Sequence, residues 1–431
     1  DFRPTNATAK GVIMKSALLD STATYPAYIA QTGDNEICIM NFLNNGSSVN
    51  VMLGADKSVN IAPQFIMNNS MYGDFLCYAA NWDKSKSAIK GYISGTATSQ
   101  SIELGNLGVF ASADMTTCAQ RNRSLSFTFS DGTISFPAAK PLTWTGNGSQ
   151  ASPFVITNAE QFAAFAESVN SGNDYSGKYI VLDADIDLSN LPYKFRPAGM
   201  FTDKPFKGNF NGQGHTVANL SITQGDVPNT GLFGFADQGS VLTNVKFTGA
   251  AIESRGESTG VLVGHSKGKI STVTATGCSV VSYGQYSGGI VGYLEKGSID
   301  NSSFNGDIDA YGGIGGIAGE AEYAHITNCH SSANMNMAGI SNFTYRGVGG
   351  IAGNTIGANI SKCYFNGLIT EKTSYGLVGG ITGSAIEDTI TQCLNAAPLS
   401  SVAPENSGSE SYPAGNAGGI AGLIYGTTIS D

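Results

Sequence analysis

The sequence has little charge and no long apolar run. Only 13% of its 431 residues are Asp, Glu, Lys or Arg, about half the share of an ordinary globular chain. Acidic residues outnumber basic ones by 33 to 23, so the net charge is −10. This balance argues against a nucleic-acid or anionic-membrane partner, because both need a basic surface. No apolar run approaches the roughly 20 residues of a transmembrane helix, so no transmembrane segment is expected.

The sequence also lacks the cysteine spacing of a metal site. Its seven cysteines include no Cys-x-x-Cys pair, so neither a zinc cluster nor a disulfide framework is predicted, and no cofactor is expected. The chain begins Asp1-Phe2-Arg3-Pro4, without an initiator Met or an apolar leader. That beginning favours the trimmed end of an exported protein.

Glycine is present in excess, with 56 residues, and much of it is periodic. Seven Gly-rich segments recur in the C-terminal half, most of them pentads such as Gly288-Gly-Ile-Val-Gly292, and their last glycines lie between 27 and 39 residues apart by subtraction. A β-rich unit of this size is typical of one coil of a solenoid. Two further columns share this register, one polar and one of small residues: Asn244, Thr272, Asn301, Asn328, Lys362 and Gln392, then Gly249, Gly277, Gly306, Ala333, Gly367 and Ala397.

The region before the repeats predicts a cap and a separate domain. Asn158 followed by Gln161 fits a helix N-cap with its partner, and apolar residues then follow at helical spacing until Gly172. This pattern predicts an amphipathic helix over about 158–171 that covers the first coil. Residues 1–140 instead alternate between apolar and polar positions, with turn signals between the segments, and predict an all-β domain that is sandwich- or barrel-like. Residues 141–431 are predicted to form the solenoid.

Several motifs resemble those of GLUG-motif proteins. They are Trp144-Thr-Gly-Asn-Gly148, the Leu182–Leu188 strand, Phe206–His215 and the Gly-Gly-Ile-Ala-Gly pentads, in that order. The resemblance covers roughly residues 142–431 and implies a right-handed parallel β-helix of the pectin-lyase-like kind, with an N-terminal capping helix, in bacterial secreted or surface-anchored proteins that often have an adhesive role. Residues 1–140 are more loosely similar to β-domains of Gram-negative surface lipoproteins. The expected location is therefore the bacterial cell surface, as an outer-membrane lipoprotein, or the extracellular medium.

Polar residues on one predicted strand are the best candidates for chemistry. Asp307 and Asp309 share a strand face, and the repeat register places them beside Asn334 and Asn336 of the next coil. Four oxygen ligands in this arrangement suit Ca²⁺, and a carboxylate pair suits a polysaccharide lyase or a glycoside hydrolase. The alternative is a solvated outer face, on which Asp and Asn form hydrogen-bonded ladders. No Arg or Lys aligns with the pair, which favours the ladder over a catalytic or metal site.

Tyrosines offer a second candidate site. Tyr311, Tyr345 and Tyr375 each precede the last glycine of their pentads by eight residues, and Tyr286 precedes its own by six. Strand parity turns the rings of the first three outward, where stacked tyrosines can present flat apolar faces and polar tips to a glycan or a peptide. The alternative is that glycine corners turn these rings onto the edge of the core as packing.

These observations favour a non-catalytic surface protein that binds glycans, or a host or bacterial surface protein, along a rigid β-helix. One alternative is a carbohydrate-active enzyme that uses Asp307 and Asp309, and another is a spacer that displays the N-terminal domain. The chain stops at Asp431, early in the last predicted strand. This ending raises the expectation of either a longer protein or end-to-end self-association through the C-terminal coil.

Overall fold

The computed structural model divides the chain into two compact units, Asp1–Pro141 with Gly225–Val227, and Leu142–Gln224 with Pro228–Asp431. The described residues are 10–18, 22–33, 36–43, 47–54, 57–61, 64–69, 73–81, 87–89, 93–111, 118–129, 143–191, 195–224, 228–337, 347–371, 376–401 and 416–431.

The first unit is a β-domain with a single antiparallel sheet. Its strands are β1 (Lys10–Leu18), β2 (Thr22–Gly33), β3 (Glu36–Phe42), β4 (Ser47–Leu53), β5 (Ser58–Ile61), β6 (Gln64–Asn69), β7 (Gly73–Asn81), β8 (Ser87–Ile89), β9 (Ile93–Ala97), β10 (Ser101–Leu104), β11 (Leu107–Ala111) and β12 (Cys118–Phe129).

This sheet closes on itself. Its order is β1-β2-β3-β4-β5-β9-β10-β12, and β12 also pairs with β1, so these eight strands form a ring. The long β12 then carries β11, β7 and β6 as an extension. Closure leaves no open edge on the ring strands, and apolar residues that alternate along β4, such as Val49 and Val51, fill the interior. The barrel-like form of the predicted domain is therefore the one observed.

The second unit contains the predicted capping helix, α1 (Ala159–Asn170), directly after its first strand, Phe154–Ile156. Asn158 is the N-cap, and its Oδ1 accepts a hydrogen bond from the Gln161 backbone N–H at 2.9 Å. The Gln161 side chain reaches back one residue further than a standard capping box does, and its Oε1 accepts from the backbone N–H of Thr157 at 2.7 Å. The apolar stripe of α1, including Phe162 and Phe165, is buried in the solenoid core. The predicted helix is confirmed.

The rest of this unit is a parallel β-solenoid with three sheets. The second face and the third face contribute one strand each to seven coils. Strands of the second face are Asn229–Thr230, Ser258–Thr259, Tyr286–Gly288, Gly313–Gly315, Gly347–Gly349, Leu377–Gly379 and Asn416–Gly418. Strands of the third face are Phe233–Ala236, Val263–Ser266, Val291–Glu295, Ala318–Glu322, Ala352–Ile356, Thr382–Ile386 and Ala421–Tyr425.

The first face is a sheet of 21 strands that bends around the remaining corners. Its strands are Phe154–Ile156, Tyr179–Leu182, Ile186–Asp187, Asn209–Asn211, Thr216–Ala218, Ser221–Gln224, Val241–Thr248, Ala251–Ser254, Lys269–Ser282, Ser298–Asp300, Ser303–Ala310, His325–Thr327, His330–Ser331, Asn334–Met337, Asn359–Ser361, Tyr364–Phe365, Leu368–Glu371, Thr389–Thr391, Leu394–Asn395, Leu399–Ser401 and Thr428–Ser430. A 3-10 turn, Leu188–Asn190, follows the third of them.

Each pentad forms the corner between the second and third faces. In the pentad that ends at Gly319, Gly315 closes one strand, Ile317 points into the core, and the next strand begins at Ala318. Among the described residues with positive φ there is no pentad glycine. The requirement for glycine is instead steric, because a Cβ added to Gly350 would lie 2.2 Å from the carbonyl oxygen of Gly380 and 2.3 Å from the Phe365 ring.

The polar column forms a different corner, within the first face. All six of its residues have φ between 48° and 58°, in the left-handed region. Asparagine is the non-glycine residue that best tolerates this region, and it occupies three of the six positions. Rung-to-rung hydrogen bonds support the column, as where Asn328 Nδ2 donates to Asp300 Oδ1 at 3.0 Å. The polar residues therefore have a backbone role that their alignment in the sequence did not reveal.

Candidate ligand-binding site

The structure separates the tyrosines that the sequence grouped together. Tyr286 lies on the second face, in register with Gly313, whereas Tyr311 follows the end of a first-face strand. The two rings are therefore in different columns. Tyr345 and Tyr375 lie outside the described residues, and their part of the predicted platform stays a prediction.

Tyr311 is half-buried and stacks on the exposed ring of Tyr283. The two ring centroids are 5.2 Å apart, with 28° between the ring planes, and the Arg255 guanidinium lies 5.0 Å from the Tyr283 centroid. These three residues follow register partners on consecutive coils, Ser254, Ser282 and Ala310. Arg255 and Tyr311 therefore lie on opposite sides of the Tyr283 ring.

Asp307 and Asp309 lie on the same outer surface as this stack. Asp309 precedes Tyr311 by two residues, and both side chains point outward beside the buried Ala310, so their Cα atoms are about 6–7 Å apart along the strand. The next coil places Asn334 opposite Asp307 and Asn336 opposite Asp309. We call this surface the tyrosine patch, and its residues are Glu253, Arg255, Tyr283, Asp307, Asp309, Tyr311, Asn334 and Asn336.

The carboxylates and amides of the patch form two parallel pairs. Asn334 Nδ2 donates to Asp307 Oδ1 at 3.0 Å, and Asn336 Nδ2 donates to Asp309 Oδ1 at 2.9 Å. The side-chain neighbours are those that the repeat register predicted, and they form the hydrogen-bonded ladder. In the part of the chain that the structure describes, no group of three or more His, Cys, Asp or Glu residues could hold a metal ion.

A second set of aligned side chains fills the outer side of the pentad corner. It consists of the residue that follows the last glycine of each pentad or its equivalent, and we call it the corner column: Phe235, His265, Tyr293, Glu320, Asn354, Ser384 and Leu423.

The rings and amide of the corner column pack against one another. His265 stacks between Phe235 and Tyr293, with centroid distances of 4.7 Å and 4.6 Å, and Tyr286 of the second face lies 5.2 Å from Tyr293. Asn354 extends the column by accepting a hydrogen bond from the backbone N–H of Gly347 at 2.9 Å. Tyr286 is therefore part of this packed corner.

Burial shifts the pKa values of ionisable side chains in and beside the corner column. Burial raises the pKa of Glu320 to about 7, with Glu322 and Glu257 acting in the same direction and a hydrogen bond from Asn354 opposing it. Burial and the neighbouring glutamates also raise the pKa values of Tyr286 and Tyr293. The Tyr293 hydroxyl donates to a carboxylate oxygen of Glu322. The two tyrosines are therefore neutral at physiological pH.

The surroundings of His265 indicate a role in packing. Burial lowers its pKa, although Glu295 opposes this effect, and its Nε2 lies 3.2 Å from Glu295 Oε2. Lys267 approaches the same Glu295 oxygen at 2.9 Å. The carboxylate is thus shared by two neighbours of one coil, and a neutral His265 completes the aromatic stack.

Sequence reasoning missed Tyr283 and the corner column. Tyr283 precedes its pentad by a different number of residues than Tyr311 does, so counting back from the glycines hides their alignment. The corner column could have been found, because its members directly follow the pentads. Their chemistry changes from aromatic to acidic to amide along the solenoid, and no single residue type marks the position.

No helix within the described residues is long and apolar enough to cross a membrane. The seven cysteines are free of disulfides, and Cys329 and Cys363 are buried in one inward column.

Comparisons with known proteins found a family motif, a similar sequence and a similar structure. Residues 283–309 and 310–336 each match the GLUG motif. Halomucin from Haloquadratum walsbyi is 32% identical over 175 residues, which is 38% of this chain and 2% of that much longer protein. A provisionally assigned immunoglobulin A1 protease from Bacteroides ovatus has a TM-score of 0.47 and 22% identity, over 67% of this chain and 87% of that chain.

The GLUG motifs and the similarity to halomucin indicate an exported surface protein. The two matched segments cover the coils that carry Tyr283, Tyr286, Asp307, Asp309 and Tyr311. This chain therefore carries two GLUG motifs within a parallel β-solenoid, as its sequence predicted.

Proposed function

We propose that this chain is a non-catalytic adhesion protein that binds a glycan on the tyrosine patch of its solenoid. The observation that supports the proposal is the stack of Arg255, Tyr283 and Tyr311 beside Asp307 and Asp309. Tyr283 keeps 39% of its surface exposed, although large aromatic side chains are usually more deeply buried. The resemblance to surface lipoproteins supports display at a bacterial surface.

The stack constrains how a ligand could bind. Tyr283 has Arg255 on one side and Tyr311 on the other, so the faces of its ring are already occupied. The outward-facing edge of the Tyr283 ring and its hydroxyl group remain for the ligand. Recognition would therefore depend on hydrogen bonds from the patch more than on a sugar stacked flat on a ring.

A rigid support is part of the proposal. The strands that carry the patch belong to a continuous parallel ladder, and their inward residues Ile308 and Ala310 are fully buried. Side chains on such a support lose little conformational entropy when a ligand binds, which favours useful affinity from a shallow surface.

A glycan array tests the proposal, with the intact protein, a Tyr283→Ala/Tyr311→Ala double variant and Tyr425→Ala compared side by side. Tyr425 is 68% exposed on the third face and serves as the matched tyrosine control. We expect the double variant to lose at least about tenfold in affinity, and Tyr425→Ala to bind like the parent chain. Equal binding by all three proteins would overturn the assignment of the patch.

A parallel assay separates binding from catalysis. The glycans that bind are incubated with the protein, and reducing ends and unsaturated products are measured. We expect neither to accumulate. Product formation that disappears in Asp307→Asn or Asp309→Asn would contradict the non-catalytic proposal. It would support the alternative of a carbohydrate-active enzyme that uses this carboxylate pair.

A further inference from the structure

We infer that the tyrosine patch selects uncharged, hydroxyl-rich glycans over glycans that carry carboxylate or sulfate groups. This inference rests on the proposed function and adds the chemical class of the ligand. It follows from three properties of the patch, namely its sign of charge, its remaining hydrogen-bonding capacity and the position of its single cation.

The patch has a negative local charge. Glu253, Asp307 and Asp309 contribute three carboxylates to one outer surface, with the coil of Tyr283 between Glu253 and the two aspartates, and Arg255 contributes one cation. The sum is therefore −2. Asp307 is exposed and Asp309 is half-buried, so an acidic ligand group on this surface would face like charges at short range.

The carboxylates retain capacity to accept hydrogen bonds. Each of Asp307 and Asp309 receives one amide N–H on its Oδ1, whereas an ionised carboxylate can accept about four hydrogen bonds. Each asparagine donates through its Nδ2, which also carries a second hydrogen. Neutral sugar hydroxyls can donate to the carboxylates and accept from the amides, and such charge-assisted bonds are stronger than neutral ones.

The cation of the patch is held at one side. Arg255 lies over the Tyr283 ring, two coils before the coil of Asp309 and three coils before that of Asn336. A ligand anion that reached Arg255 would still lie beside Glu253, which precedes it by two residues in the strand that ends at Ser254. Arg255 can therefore donate to sugar oxygens without making the patch a site for anions.

Coulomb repulsion sets the size of the expected preference. Two net charges about 8 Å from a ligand anion in a water-like dielectric favour the neutral ligand by about fivefold at low salt. The preference should fall towards equality in 1 M salt, where the screening length is about 3 Å.

The test uses pairs of glycans that differ only in charge. Sialylated glycans are compared with their desialylated forms, and galacturonan oligosaccharides with their methyl esters, at 20 mM and 1 M NaCl. The proteins are the intact chain, Asp307→Asn/Asp309→Asn, and Asp183→Asn/Asp300→Asn. The last variant is matched in charge, and Asp300 makes the same kind of bond to an asparagine, Asn328, away from the patch.

We expect the intact chain to prefer the neutral member of each pair by about fivefold at low salt. The patch variant should lose most of this preference and bind neutral glycans more weakly, whereas the matched variant should keep both properties. Equal or tighter binding of the acidic members would overturn the inference while leaving the binding function intact. If no glycan binds, or if binding persists after both Tyr283 and Tyr311 are replaced, the proposed function itself fails.

Discussion

The corner column and the tyrosine patch both align side chains from coil to coil, and they differ in what their neighbours leave open. In the corner column, His265 lies between two rings and the Tyr293 hydroxyl donates to Glu322. In the patch, Tyr283 is exposed and two carboxylates have accepted only one amide hydrogen bond each. Side chains that align from coil to coil in a solenoid therefore mainly pack against one another. A ligand needs polar groups that keep hydrogen-bonding capacity after this packing.

The corners explain why the two regions differ. At a pentad corner the backbones of the second and third faces come so close that glycine is required, and the outward side chains on either side of it meet. The patch lies where a first-face strand ends and its side chains diverge towards solvent. The same repeat therefore creates one closed column and one open surface.

The largest effect is expected at the pentad corner. Gly350→Ala places a methyl group 2.2 Å from the Gly380 carbonyl oxygen, and backbone atoms on both sides belong to the ladder and cannot move freely. We expect the free energy of unfolding to fall by at least about 3 kcal/mol, measured by urea denaturation. The reason is steric crowding, because Gly350 does not have a positive φ.

Gly419 supplies a matched control for this change. It is the second glycine of the last pentad, as Gly350 is of the fifth, but a Cβ at Gly419 would meet no atom within 4 Å. Gly419→Ala should therefore change the stability by less than about 1 kcal/mol. A loss of similar size in both variants would show that glycine acts at these corners through something other than close approach.

The next effect is a pH dependence that arises in the corner column. Burial raises the folded-state pKa of Glu320 to about 7, above its ordinary value of 4.5. Its protonated form therefore stabilises the folded chain fully below about pH 4.5, and this contribution is lost as the pH rises through about 7. We expect the contribution of Glu320 to the free energy of unfolding to decrease by about 2–3 kcal/mol between pH 5 and pH 8. Glu320→Gln should remove this part of the pH dependence.

Glu295→Gln is the control, because the pKa of Glu295 is shifted in the opposite direction from that of Glu320. Burial disfavours the charged form of Glu295, but the hydrogen bond and charge of Lys267 outweigh burial and lower its pKa. Its contribution is therefore lost as the pH falls, and Glu295→Gln should not remove the decline between pH 5 and pH 8. The melting temperatures of the parent chain and of Glu320→Gln are measured from pH 5 to pH 8. If both change with pH in the same way, the assigned environment of Glu320 is contradicted.

Much of this architecture could be predicted from the sequence, because repetition makes each coil a test of the others. The pentads, the capping helix from Asn158 and the pairing of Asp307 with Asn334 all follow from spacing. The Tyr283 stack did not follow, since irregular lengths between strand and pentad hide the alignment. The role of the polar column was also hidden, because a left-handed φ at Thr272 or Lys362 depends on the corner and not on residue preference.

The smallest losses of stability are expected when one tyrosine from each region is replaced by alanine. Tyr293→Ala removes two ring contacts and the hydroxyl bonded to Glu322, and leaves that carboxylate near the buried Glu320 with one donor fewer. We expect a loss of about 2 kcal/mol. Tyr283→Ala removes an exposed ring that contacts Tyr311 and Arg255, and should cost at most about 1 kcal/mol.

Denaturation of both variants, together with glycan binding by each, decides whether the two regions have different roles. Tyr293→Ala should lose stability and keep its binding at temperatures where it is folded, whereas Tyr283→Ala should keep most of its stability and bind more weakly. If Tyr283→Ala proves as destabilising as Tyr293→Ala and binding is unaffected, the patch is a second packing column. The difference between the two regions would then lie in their exposure alone, and the ligand would have to be sought on another face.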